Sequence, residues 1–257
     1  MVPNIVVARY SDETFNTYFV PSAKRFPVPC FQIGDKPDTD GNLIRQQINN
    51  KYFMITQMLM GNKAITDETI VIFIHEDVNI MDNHFIDKIN MLFTEKPEIG
   101  VMGVAGVKQI HKEGWWFDGK NEPVGHIVEG VDGKNITEGK HTVYGAVGYF
   151  DDCVAVEGCV LAIRGSLLKA GMAFDIQTYK NDKDMYAMDI CIQALQRGYK
   201  VAVADILVYH KSCRTRTASE SWTKGKSLFN EKYKDLNFPI KSSDFDFKRN
   251  EVMEVEI

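Results

Sequence analysis

Apolar residues fall along this chain in two spacings. Apolar runs at Ile5–Ala8, "TIVIFI" (69–74), "IGVMGVAGV" (99–107) and "VAVADILVYH" (201–210) read as buried strands. "FPVPCFQIGD" (26–35) adds a strand that Pro27 and Pro29 confine to a sheet edge. The other spacing is helical. Positions 44, 48, 52, 55 and 59 share one face, as do Phe85, Ile89, Leu92 and Phe93, and Met188, Ile192, Leu195 and Tyr199. Asp82 is placed to cap the second helix and Gly198 to end the third. Strands alternating with helices predict an α/β fold with a mostly parallel central sheet flanked by helices. Residues 108–150, polar and rich in glycine, interrupt the alternation and predict loops or a hairpin. Residues 153–164 read as strand, turn, strand, and a short helix is expected near 220–233, before a charged tail.

Composition narrows the classes. With 257 residues and 44% hydrophobic content the chain can bury one sizeable core. A net charge of −5 argues against nucleic acid as the partner, so a phosphorylated ligand needs a metal ion or a few placed cations. The five cysteines are odd in number and lack CxxC spacing, which suits reduced thiols in a cytoplasmic protein. No apolar run approaches the roughly 18 residues of a membrane span, and no signal peptide is evident.

Against that background, two strands end in ligand-type residues. The run 71–74 leads into His75, Glu76 and Asp77, and the run 201–209 ends in His210. Ligands of open α/β sheets sit beyond the carboxyl ends of strands, so Asp77 and His210 can converge on Mn²⁺ or Mg²⁺. A turn cap at Asp77 and a hydrogen-bonded strand end at His210 are the plainer alternatives. Asp189 is either a dipole-favoured acid at a helix start or a general base towards a hydroxyl. Trp115 and Trp116, in "GWWFDG", offer indole faces to a sugar or cover a sheet edge. Glu157 and Gly158, between two apolar runs, mark a bulge, a tight turn or a point of close substrate approach.

The ordered series "VIFIHEDV", "GVMGVAG", "WW", "VEGCVLAIR" and "YAMDICIQALQRGYKVAVADILVYHKS" resembles the glycosyltransferase-like proteins of the streptomycin-biosynthesis type, a branch of the family 2 glycosyltransferases. The resemblance spans roughly residues 70–212. It implies a GT-A fold over 1–215, with a nucleotide-binding half at 1–107, an acceptor half at 108–215, and a C-terminal helix and tail at 216–257. It implies metal-dependent, inverting transfer from a nucleotide-diphosphate sugar to a saccharide or other hydroxyl acceptor. A degenerate protein that binds nucleotide or sugar without transfer is the alternative. Asp77 and His210 then hold the metal and Asp189 is the base. Arg9, Tyr10, Asp35, His75 and Glu76 line the donor; Trp115, Trp116, Glu157 and Gly158 line the acceptor. The family pattern Tyr-Asp-x-Asp reads here Tyr186-Ala187-Met188-Asp189, one carboxylate short.

Overall fold

A computed structural model describes residues 1–37, 43–44, 47–113, 119–130, 136–179, 184–211 and 220–247. The chain runs β1 (Val2–Ala8), β2 (Cys30–Ile33), α1 (Ile48–Gly61), β3 (Thr69–His75), β4 (Val78–Ile80), α2 (Phe85–Glu95), β5 (Ile99–Gly103), β6 (Ala105–Val107), β7 (Pro123–Glu129) and β8 (Lys140–Val143). It continues through β9 (Phe150–Cys153), β10 (Ala155–Val156), β11 (Val160–Arg164), α3 (Tyr186–Gln196), β12 (Lys200–Val203), β13 (Val208–His210) and α4 (Glu220–Lys232), with shorter helical turns and bridges between.

The main sheet has seven strands in the order β9-β12-β5-β11-β3-β1-β2. β2 lies at its edge, where Pro27 and Pro29 cost no ladder bond. The pairings β1–β2, β1–β3 and β5–β12 are parallel. Those of β11 with β3 and β5, and of β9 with β12, are antiparallel. Five strands, β1, β2, β3, β5 and β12, therefore point one way and β9 and β11 the other, so the sheet is mixed and the expected parallel order holds only in part. Its centre is interrupted by β11, which keeps the direction of β10 past the Glu157–Cys159 turn, so that 155–163 run antiparallel to 107–101 across both sheets.

A second sheet, β10-β6-β7-β13-β4 with β8 on the outer side of β7, stands beyond the carboxyl ends of β3 and β5. The apolar runs 99–107 and 201–210 each break to serve both sheets. Residues 99–103 and 200–203 lie in the first, and 105–107 and 208–210 in the second. Glycine makes the first break possible. A Cβ on Gly103 would lie 2.6 Å from the Val156 Cβ, and one on Gly106 would lie 2.5 Å from the Ala155 carbonyl oxygen.

Both faces of the main sheet are covered, which is why β3 is apolar without alternation. Val71 and Phe73 join one core with α1, α3 and α4; Ile70, Ile72 and Ile74 join another with α2. α4 belongs to the first core through buried Trp222 and Phe229, with Tyr233 just beyond its end. α2 begins later than expected: His84 occupies the N-cap position, and Asp82, just before it, accepts its N–H. Arg164 closes the far end of α2 by donating to the Phe93 carbonyl, an acceptor the helix end leaves open, and ties it to β5 by donating to the Ile99 carbonyl. Gly198 ends α3 with a φ of +78°. Among the described residues no helix is long and apolar enough to cross a membrane.

Candidate functional site

The chain leaves the main sheet at the end of β3, turns through Glu76 and Asp77, and enters the second sheet as β4. β13 pairs antiparallel with β4 so that His210 lies opposite Val78, beside Asp77. The turn is fixed by the Lys211 N–H, which donates to the Asp77 carbonyl at 3.0 Å. Backbone pairing thus brings together residues 133 apart in sequence.

Three ligand atoms face one another. His210 Nε2 is 3.3 Å from Asp77 Oδ1, His75 Nδ1 is 3.4 Å from His210 Nε2, and His75 Nδ1 is 4.0 Å from Asp77 Oδ1. Burial opposes charge on His210, but the Asp77 carboxylate beside it prevails and pushes the imidazole up to about 9. Burial also opposes charge on Asp77, yet the two imidazoles hold it well below the usual carboxylate range. Burial and the neighbouring His210 push His75 down.

This set fits a divalent cation. Bonds of about 2.1 Å place neighbouring ligands roughly 3.0–3.5 Å apart, close to the spacings of this triangle. Asp77 and His210 come together as the sequence suggested. His75 joins them as a third candidate ligand; its place at the strand end carried the signal, but the resemblance assigned it to the donor. A second triad, Glu157, Cys159 and His210, also lies within 4.8 Å, so the 157–159 turn borders the same point. The antiparallel β11 delivers that turn: Val160 pairs with Ile74, and the His75 N–H donates to the Cys159 carbonyl at 3.0 Å.

The expected donor-side residues gather at the ends of β1 and β2. Glu76 Oε2 accepts the amides of Tyr10 (2.6 Å) and Ser11 (3.0 Å), tying the loop after β1 to the turn that carries Asp77. Arg9 extends to Asp12 and Gln32. Asp35 is ion-paired at 2.7 Å with Lys51, whose side chain is wholly buried. Lys51 Nζ also donates to the Arg9 carbonyl at 2.6 Å and lies 3.4 Å from the Tyr10 ring centre. Sequence reasoning missed Lys51. The helical spacing of 48, 52, 55 and 59 places position 51 on the buried face, and that was the available signal.

On the acceptor side, Trp115 and Trp116 lie outside the described residues. Glu157 borders the metal cluster and accepts the Cys159 N–H at 2.7 Å. The close approach expected at Gly158 is made by the protein itself: a Cβ there would meet the Tyr186 hydroxyl at 2.2 Å, so that space is not open to substrate. Asp189 stands in a setting unlike that of a general base. It is 1% exposed and accepts from Tyr179 (3.3 Å), Gln193 (2.7 Å), Lys232 (2.5 Å) and Tyr233 (2.7 Å). These four donors leave it no face toward an incoming hydroxyl. The carboxylate ties α3 to the end of α4.

Comparison with known proteins places this geometry. Residues 47–235 match the model of the family described as glycosyltransferase like family. No curated protein matches the chain in sequence. Among solved structures, the mannosyltransferase PcManGT from Pyrobaculum calidifontis in complex with GDP-Man and Mn²⁺ is similar with a TM-score of 0.54 and 9% identity, over 91% of this chain and 65% of that one. GalNAc-T7 with UDP, GalNAc and Mn²⁺ is similar with a TM-score of 0.51 and 12% identity, over 90% of this chain and 48% of that one. The chain thus spans about half of one and just under two thirds of the other. Likeness at this identity establishes the fold, which is GT-A.

Proposed function

We propose that this chain, which belongs to the glycosyltransferase-like family, transfers a sugar from a nucleoside-diphosphate donor to a hydroxyl acceptor with a divalent cation held by His75, Asp77 and His210. The observation that carries the reading is the convergence of those three side chains where β3 ends and β13 meets β4. When bound, a divalent cation there offsets the negative charge that gathers on a departing diphosphate. Two imidazoles with one carboxylate favour Mn²⁺ over Mg²⁺, which prefers oxygen ligands and keeps its waters. The Mn²⁺ recorded with both similar structures accords with that preference.

The chain's own residues supply the rest. Tyr10, Arg9 and Asp35, braced by Lys51, are proposed to receive the nucleotide. Glu76 keeps their loop in register with the metal turn. Asp189 was the first candidate base, but its four donors favour Glu157, which borders the cluster, as the carboxylate that takes the proton of an acceptor hydroxyl in an inverting step. Within the family, the streptomycin-biosynthesis-type branch is the placement we propose, from the order of the sequence motifs.

The test is calorimetric titration of UDP and GDP with and without Mn²⁺. Asp77→Ala is expected to abolish the metal-dependent part of binding; an unchanged isotherm rules out the assignment. A second reading, nucleotide or sugar binding without transfer, is favoured by Ala187 in place of the family's carboxylate and by the burial of Asp189. Incubation with a panel of nucleotide sugars and Mn²⁺ separates the two, because only transfer or donor hydrolysis frees nucleoside diphosphate.

A further inference from the structure

One hydrogen-bonded chain behind the metal cluster has a single consistent arrangement of protons. His75 Nε2 lies 2.6 Å from the Tyr186 hydroxyl, which lies 3.0 Å from the Gly158 carbonyl oxygen. A carbonyl can only accept. If the phenol gave its proton to His75, two oxygens 3.0 Å apart would face each other with none between them. Both contacts are satisfied only when Tyr186 donates to Gly158 and His75 Nε2–H donates to Tyr186. In the neutral imidazole the other nitrogen, Nδ1, then carries the lone pair, and Nδ1 is the atom that faces Asp77 and His210.

We propose that Tyr186 is a positioning residue that locks His75 in the tautomer able to ligate a cation through Nδ1, and that Gly158 is the residue that gives its hydroxyl room. The inference rests on the metal reading above. A side chain at 158 would begin 2.2 Å from the phenol oxygen and 2.6 Å from the ring carbon that bears it, so any Cβ drives Tyr186 off His75. The ring is fixed independently. Tyr186 is 3% exposed and packs against Tyr52 and Phe174, with ring centres 5.8 and 6.1 Å apart. Burial also pushes the phenol well above its ordinary range, so its proton stays available to Gly158. Second-sphere partners of this kind fix the ring orientation and tautomer of metal-binding histidines, and their loss costs about 10–100-fold in metal affinity.

The experiment uses the full chain and Mn²⁺ alone. Long-range ¹H–¹⁵N correlation of the imidazoles in the metal-free protein is expected to show His75 protonated at Nε2 and bare at Nδ1. In Tyr186→Phe, which keeps the ring packing, the tautomers should mix. Mn²⁺ binding, followed by loss of the free-ion paramagnetic resonance signal, should weaken about 10–100-fold. Gly158→Ala should act in the same direction with Tyr186 intact. A wild-type His75 protonated at Nδ1, or Mn²⁺ binding unchanged in Tyr186→Phe, overturns this inference alone. A wild-type chain that binds no Mn²⁺ overturns the metal reading and this inference with it.

Discussion

His210 carries a proton that any cation must displace. The Asp77 carboxylate holds that imidazole at about 9, so at neutral pH the metal-free chain is charged there. A cation binds the deprotonated ring, and affinity therefore climbs with pH, by about tenfold per unit below 9 while one proton is released. Mn²⁺ titrations between pH 6 and 8 should show this slope, and His210→Ala should remove it. At Asp189 the prediction concerns stability. Asp189→Asn gives up charge-assisted bonds from Lys232 and Tyr233 and should lower the unfolding free energy by about 1.5–3 kcal/mol in urea titration. Asp77 and His210 were legible in the sequence because a polar residue closing a buried strand has few places to go. The surroundings of Asp189 were not, because Lys232 lies 43 residues away and nothing local announces it. Lys51 was hidden by its type, since a lysine within a helix ordinarily reads as solvated.

Among elements, every long apolar run was found, but not the sheet to which each part belongs. Residues 99–107 and 201–210 have the composition of continuous strands, and periodicity cannot mark the point at which a chain leaves one sheet for another. Gly103 was the readable trace of the first break. A strand glycine marks a close approach, here by Val156. Gly103→Ala should therefore overpack this corner and cost about 1–3 kcal/mol, read as a lowered thermal midpoint with the candidate metal ligands untouched. The mixed sheet was illegible for a related reason. β11 is as apolar as β3 and β5, to which it pairs antiparallel, and nothing in its composition gives its direction. The Glu157–Cys159 turn between β10 and β11 lies against His75, whose N–H donates to the Cys159 carbonyl.

For the molecule as a whole, the alternation of strands and helices was enough to read an α/β fold, while the second sheet draws β7 and β8 from the stretch the sequence marked only as loops or a hairpin. α4 extends the first core and meets α3 through Asp189 and Lys232. The candidate metal ligands are divided between the two sheets: His75 closes a strand of the first, His210 closes a strand of the second, and Asp77 lies on the only two residues linking β3 to β4. An ion gripped by all three would act as a rivet through the seam. Its grip would be felt far from the seam, slowing amide exchange in both layers together, and at a hundredfold excess over its dissociation constant it would add about 2.7 kcal/mol against unfolding.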